Sequence, residues 1–280
     1  MRLSPWEHAP MKPGIIAVLL LSAIAALGEA KDCLNPSLVV PDGRTVNSPQ
    51  FAGSFNGYNP TYWYGFYGQA MHSYSIEFVP TLDNENTSNA INFVNLTIWG
   101  PNDISALQAN GCFGSTSVSW TSTQGFSPAI ARSKYGTGQR VSFIAQVSGL
   151  NILSITNTQA AGPYSYRITD TTMFNPRWTT WSGYDSTWGF TNMSDMTITG
   201  TLYVFDSNNH LLVAAPVTLL ANSQVFRVTG ASDLNLPRNN AGSAFFAHNG
   251  PPSAILGDAY MLNSNGTVVV YSKFESRYTQ

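Results

Sequence analysis

Apolar and polar residues alternate with a period of two along much of this chain. The segments 73–78 and 164–169 carry an aromatic or aliphatic residue at every second position. This spacing puts the apolar side chains on one face of a β-strand. Shorter apolar runs occur at 93–99, 141–147 and 152–156, and no longer stretch has convincing 3.6-residue spacing. The pattern predicts an all-β protein built as a sandwich or barrel.

The second half of the chain continues this pattern with closely spaced strands. Trp188–Asn192 is predicted to be its first strand, and Thr197–Phe205 a longer one that ends at the hairpin turn Asp206–Asn209. Asn263–Gly266 predicts a second hairpin turn. Further strands are expected at 211–214, 217–220, 225–228, 244–247, 254–262 and 268–274. So many short strands predict an immunoglobulin-like sandwich, although the paired cysteines of true immunoglobulin domains are absent.

The pair Asn175-Pro176 follows the strand 164–169 and disfavours a helix, which predicts a turn or a domain boundary there. Together with the length of 280 residues, this suggests two domains. The expected fold class is therefore all-β, with two consecutive antiparallel β-sandwich domains of jelly-roll or immunoglobulin-like type. Their predicted ranges are 31–173 and 174–280.

Residues 1–30 have the features of a secretory signal peptide. Lys12 precedes the apolar run Ile15–Leu27, and the small residues Gly28 and Ala30 precede a cleavage point before Lys31. The run is shorter than the about 20 residues that span a bilayer, so cleavage is favoured over a retained membrane anchor. We expect a secreted, periplasmic or cell-surface protein with no integral membrane span in the mature chain; either Met1 or Met11 can be the start.

Charge is scarce, which narrows the range of partners. Charged residues make up 10% of the chain and the net charge is −2, whereas an ordinary soluble protein has about 25% charged residues. A nucleic-acid partner is not expected, because the sequence has no basic patch. The two cysteines, Cys33 and Cys112, are predicted to form a disulfide in an exported chain. Two buried free thiols are the alternative, and a metal site is disfavoured because no CxxC spacing occurs.

Motifs of catalysis are missing from the sequence. It has no HExxH, GxSxG, P-loop or CxxC signature, and no cofactor or metal is expected. His72 with Asp83 or Asp103 is the one acid–histidine combination worth naming, and nothing in the sequence positions it. The acidic loop 83–86 offers oxygen ligands for calcium but lacks the pattern of an EF-hand, so a solvated loop is favoured.

Aromatic residues are the enrichment that points to binding. One cluster contains Tyr62 and Trp63, and another contains Trp178, Trp181 and Tyr184. Exposed rings can stack on sugars or anchor a protein partner, so these five residues are the candidate ligand-binding residues. The alternative is that such rings fill the core, and Trp188 with Phe190, two positions apart, is expected to face inward.

Three segments resemble a known family. They are YSIEF at 74–78, VNLTIWGPND at 94–103 and GPYSYRITD at 162–170, and together they resemble the bacterial pre-peptidase C-terminal (PPC-type) β-sandwich over about residues 60–170. Such domains accompany secreted enzymes as non-catalytic appendages. The export signal, the scarcity of charge and the aromatic loops without acid–base machinery predict a non-catalytic protein that binds a glycan or an envelope protein. The alternatives are a secreted hydrolase with a site between the domains, and a structural spacer or assembly subunit with an exposed strand edge.

Overall fold

The structure, a computed structural model, describes residues 33–47, 61–79, 94–109, 112, 131–132, 140–157 and 165–276. The predicted signal peptide at 1–30 and the acidic loop at 83–86 lie outside these ranges. Strands make up most of the described chain, so the all-β fold class is confirmed. One short helix, α1 (Ile104–Ala109), occurs in the same ranges.

The first half of the described chain forms two sheets. Five strands are ordered β1-β3-β8-β5-β6, and four are ordered β2-β9-β4-β7. Their bounds are β1 Ser37–Leu38, β2 Asp42–Asn47, β3 Thr61–Gly68, β4 Ser73–Val79, β5 Val94–Trp99, β6 Ala131–Arg132, β7 Arg140–Ile144, β8 Gly149–Asn157 and β9 Ser165–Asp170.

Strand β3 is buried on both of its faces. Tyr62, Tyr64 and Phe66 belong to the core between the two sheets. Trp63 points the other way, into a second cluster with Trp99, Ile152 and Leu107 of α1. Because neighbouring side chains of a strand point to opposite faces, a strand covered on both sides has to be apolar throughout.

The predicted disulfide between Cys33 and Cys112 is confirmed, with a Cα–Cα distance of 5.7 Å. Cys33 is fully buried in the cluster that contains Trp63 and Trp99. The bond therefore ties the chain ahead of β1 to the chain that follows α1, on the outer side of the five-stranded sheet.

The second half of the described chain forms one eight-stranded sheet, ordered β13-β12-β15-β10-β17-β16-β11-β14. Its two end strands approach each other, and Arg227 of β14 donates to the carbonyl of Pro216 in β13 at 3.0 Å. The sheet is therefore nearly closed on itself. The bounds are β10 Met173–Thr179, β11 Asp185–Asn192, β12 Ile198–Asp206, β13 Leu211–Leu219, β14 Gln224–Val228, β15 Ala241–His248, β16 Ile255–Leu262 and β17 Val268–Ser276.

Several strand predictions for this half are confirmed and others are wrong. Trp188 and Phe190 face inward and are fully buried, as their spacing predicts. The hairpin turns at Asp206–Asn209 and Asn263–Gly266 are also confirmed. The predicted break between 214 and 217 is wrong, because β13 runs through Pro216; an end strand tolerates a proline, since its outer backbone groups need no partner in the sheet.

The turn predicted at Asn175-Pro176 is wrong. Both residues lie inside β10, where a bulge shifts the register between Asn175 and Trp178. Asn175 is fully buried, and its amide donates to Ser272 Oγ at 2.9 Å and to the Lys273 carbonyl at 3.1 Å. Its side chain thus supplies bonds that the irregular backbone does not make, so the strand continues past a proline.

The two halves meet at Thr171-Thr172, between β9 and β10. Both threonines are buried. The Thr171 N–H donates to the Ser73 carbonyl at 2.8 Å, and the Ser73 N–H donates to Thr172 Oγ1 at 2.8 Å. Separate hydrophobic clusters lie on the two sides of this link. The domain division at 173/174 stays a prediction.

Candidate binding site at the Trp181 turn

The structure separates the five candidate ligand-binding residues. Tyr62, Trp63 and Trp178 are at most 2% exposed. They pack inside the protein and present no ring face to a ligand, so their expected role at the surface is wrong. Trp181, in contrast, is 55% exposed, and Tyr184 is half-buried.

Trp178 is held in place by hydrogen bonds as well as by packing. Its indole Nε1 donates to the carbonyls of Phe205 at 2.9 Å and of Ser243 at 3.2 Å. A buried indole N–H needs such a partner, because leaving it without one costs about 1–3 kcal/mol. Trp178 therefore anchors the end of β10, close in sequence to the exposed Trp181.

Trp181 lies in a tight 3-10 turn, Trp181–Gly183, that joins β10 to β11. The Trp181 N–H donates to Thr179 Oγ1 at 3.1 Å, and the Tyr184 N–H donates to the Trp181 carbonyl at 2.9 Å. Ser182 and Gly183 have φ values of 52° and 81°, in the left-handed region that favours glycine. Two consecutive residues in this region reverse the chain sharply and leave the indole on the outside.

A buried polar network supports the turn from below. Thr180 is 1% exposed, and its hydroxyl donates to the Pro237 carbonyl at 2.7 Å while its N–H donates to the Asn240 carbonyl at 2.8 Å. Ser186, also 1% exposed, accepts a bond from the Thr179 N–H at 3.0 Å. The turn is thus fixed to the neighbouring loop 237–240 and does not depend on its own contacts alone.

A charged pair adjoins the turn. Arg238 Nη1 and Nη2 donate to the two carboxylate oxygens of Asp185 at 2.7 Å and 3.3 Å. Nη1 also lies 3.4 Å from the Tyr184 carbonyl, and Thr229 donates to Asp185 Oδ1 at 3.1 Å. The Arg238 side chain remains 52% exposed, so its other N–H groups can bind a ligand.

Sequence reasoning missed Arg238 and Asp185. They are far apart along the chain and belong to no motif, so only the fold brings them together at the end of the turn, where Arg238 reaches the Tyr184 carbonyl. The turn and its surroundings thus offer an exposed apolar ring and a fixed set of hydrogen-bond donors and acceptors.

Two histidines, His72 and His248, lie elsewhere, at the junction of the two halves. His72 Nδ1 is 2.8 Å from Asp170 Oδ2, and the side chains are 12% and 4% exposed. The acid bonded to His72 Nδ1 is therefore Asp170 and not Asp103, and Asp83 lies outside the described residues. The His72 ring also packs edge-on against Phe245 of β15, with ring centres 5.8 Å apart, so this pair helps to hold the two halves together.

A cleft of about 570 Å³ lies along the same junction. Arg167, Lys273, Glu275 and the buried His248 are among its lining residues. Asp170 does not line the cleft, although Thr169 and Thr171 on either side of it do. Successive residues of a strand point to opposite faces.

Backbone groups hold the ring of His248. Nδ1 accepts a bond from the Gly250 N–H at 3.2 Å, and the ring also bonds the Thr171 backbone. Burial lowers the pKa of His248 to about 4, opposed by the Thr171 bond and assisted by the nearby Arg140 charge. His248 is thus a structural group that is neutral at neutral pH.

Among the residues that the structure describes, no group of three or more His, Cys, Asp or Glu side chains could hold a metal ion. No helix in the same part of the chain has the length and apolar character needed to cross a bilayer.

Comparison with known proteins assigns no family. No protein-family model matches the chain, and no curated protein does. Among solved structures, it is similar to the full extracellular region of zebrafish Gpr126/Adgrg6, with 9% identity, a TM-score of 0.25, and coverage of 86% of this chain and 31% of that chain. It is also similar to a Bacteroides uniformis β-glucuronidase, with 9% identity, a TM-score of 0.18, and coverage of 82% and 32%.

The chain spans about a third of the length of each of these two structures. TM-scores this low carry no argument about function, and the resemblance to the PPC-type family stays a prediction.

Proposed function

We propose that this is a secreted or cell-envelope protein that acts without catalysis, by binding a carbohydrate at the Trp181 turn. The observation that carries the proposal is the exposed indole of Trp181 on a turn that buried hydrogen bonds hold rigid. A site whose shape is set before the ligand arrives loses less conformational entropy on binding. A rigid aromatic is therefore more valuable to a weak ligand such as a sugar than a mobile one.

The neighbouring charged pair supports a carbohydrate as the ligand. Sugars present apolar C–H faces and a rim of hydroxyl groups, which match an aromatic ring and adjacent donors and acceptors. The guanidinium of Arg238 and the carboxylate of Asp185 offer both kinds of hydrogen bond. A nucleic-acid ligand is disfavoured by the net charge of −2.

The experiment is a glycan-array screen of the mature chain, followed by calorimetry on each hit. Trp181→Ala is expected to weaken binding by at least about tenfold, which is ~1.4 kcal/mol, and Trp181→Phe to restore part of it. Phe226→Ala is the matched control, because Phe226 is an equally exposed aromatic of the same half at 54%. The proposal fails if Trp181→Ala and Tyr184→Ala leave every detected interaction unchanged.

A protein partner at the same turn is the alternative ligand. Aromatic and arginine side chains are also the residues that anchor protein interfaces. A pull-down from envelope extract with the same variants tests it: capture that depends on Trp181, with an empty glycan array, would favour a protein.

A secreted hydrolase with its site between the two halves is a second candidate, and the His72–Asp170 pair is the observation in its favour. An aspartate that bonds Nδ1 can leave Nε2 to act as a base. His248, which lines the cleft, has no carboxylate partner among its described bonds, and burial lowers its pKa, so His72 is the residue to test. Ester and glycoside hydrolysis that His72→Ala abolishes, in a variant with unchanged folding, would support an enzyme.

A further inference from the structure

One side of β17 lies open over a short segment, where β10 separates from it; among the described strands, none pairs with that side of the segment. β10 pairs with β17 only through Met173–Ser276 and Phe174–Glu275. Beyond this point Pro176 has no N–H to donate, and the bulge in β10 turns Trp178 into the core. The Asn175 amide makes the last contacts, to Ser272 Oγ and the Lys273 carbonyl.

β17 continues for several residues beyond these contacts. There it pairs with β16 on one side, through Leu262–Val268, Met261–Val270 and Tyr260–Tyr271. Within the described part of the chain, no strand pairs with its other side over Val268–Tyr271. Backbone N–H and C=O groups along this side are therefore open to a new partner strand.

The open segment is apolar on both faces. Val268, Val269, Val270 and Tyr271 are 50%, 47%, 39% and 50% exposed. Residues 262–272 contain no charged side chain. Edge strands of monomeric proteins are commonly protected by a lysine, an inward-pointing charge, a proline or a bulge. The segment Val268–Tyr271 has no charge and no proline, and its one irregularity is a bulge at Val269, between the pairs Leu262–Val268 and Met261–Val270.

We propose that Val268–Tyr271 is a self-association site, at which the same segment of a second copy pairs antiparallel across a two-fold axis. The absence of charge favours this occupant, because two identical segments can oppose each other with no like-charged pair. Valine and tyrosine are also side chains that stabilise cross-strand pairs. Pairing of this kind closes after two copies, since each edge is used once.

The two-fold axis makes a specific geometric demand. Rotation about an axis perpendicular to the sheet keeps each side chain on its own face, so one residue must lie directly opposite its own copy. At the non-hydrogen-bonded positions of an antiparallel ladder, residues directly opposite each other have Cα atoms about 4.5 Å apart. This distance is within disulfide range. Both native cysteines are already bonded to each other, so a single added cysteine reports on this geometry alone.

The experiment combines sedimentation with cysteine substitution in the mature chain. Wild type is expected to show a concentration-dependent monomer–dimer equilibrium, which Val270→Lys weakens at least about tenfold. Leu256→Lys is the matched control, because Leu256 is 55% exposed but lies on β16, which is paired on both sides. Single cysteines at positions 268–271 are expected to give disulfide-linked dimers with one clear maximum.

Circular dichroism and thermal melting of each variant confirm that the fold is kept. A wild type that stays monomeric at all concentrations would overturn the proposal. So would a dimer that Val270→Lys leaves intact, or crosslinking that is equal at all four positions and at Leu256→Cys. Larger open-ended oligomers would also contradict it, because the two-fold pairing closes.

Discussion

A buried histidine bonds the link between the two halves of the protein, and its burial makes the stability of the protein depend on pH. His248 belongs to β15, and its ring bonds the Thr171 backbone in the link between β9 and β10. Burial lowers its pKa from 6.5 to about 4. Because the unfolded chain binds a proton more readily than the folded one between these values, stability is fully present above about pH 6.5 and falls as the pH drops towards 4.

We expect this single group to remove on the order of 3 kcal/mol of stability between pH 6.5 and pH 4. His248→Gln keeps a donor for Thr171 but cannot titrate, so its free energy of unfolding should change much less across that range. Denaturant unfolding at a series of pH values measures the difference. His210→Gln is the control, since His210 is exposed; equal slopes for wild type and His248→Gln would contradict the prediction.

Single aromatic residues mark how far the sequence predicts the candidate site. Trp188 and Phe190 were predictable, because apolar and polar residues alternate along a strand that has one buried and one solvent-facing side. Tyr62 and Trp63 were not, because β3 is covered on both faces and its sequence has no polar alternation. Trp181 is a candidate from the sequence, and the structure adds the left-handed Ser182 and Gly183 that turn its ring outward.

At the scale of elements, β10 determines how the second half is organised. It pairs with β15 along its length and with β17 at one end only. β10 is therefore the strand that connects β13, β12 and β15 to β17, β16, β11 and β14 in the eight-stranded sheet. Asn175-Pro176 marks the place where β10 leaves β17. Sequence reasoning took this pair for a turn, because a side-chain amide that replaces backbone bonds leaves no local signal.

Asn175→Ala is expected to destabilise the protein by about 2 kcal/mol, because it removes a fully buried amide and leaves the Lys273 carbonyl and the Arg177 N–H without their partner. Pro176→Ala is the neighbouring control and should change stability by less than about 1 kcal/mol, since Pro176 is exposed. Urea unfolding of both variants measures this. Equal effects at the two positions would show that the bulge, and not the amide, supports β10.

On the scale of the whole molecule, the hydrophobic clusters fall into two groups. Two clusters lie in the first half, one between its sheets and one around the disulfide, and one fills the second half. The all-β class was predictable from alternating residues, but the contacts of the halves were not. They depend on residues such as His72 and Phe245 that are distant in sequence.

Calorimetry should resolve two thermal transitions. Reduction of the disulfide should lower the melting temperature of one of them. The bond closes a loop across a sequence separation of 79 residues, which in the chain-entropy model stabilises by roughly 4 kcal/mol. Cys33→Ser with Cys112→Ser should therefore lower the melting of the first half and leave that of the second nearly unchanged. One transition that shifts as a whole would mean that the halves unfold together.

The link Thr171-Thr172 has a consequence for how this protein meets its surroundings. Both residues are buried and bonded to Ser73 and Asp170. A protease needs several residues of accessible, extended chain, and this connection offers it none. The link between the two halves is therefore expected to resist proteolytic cleavage for as long as the protein stays folded.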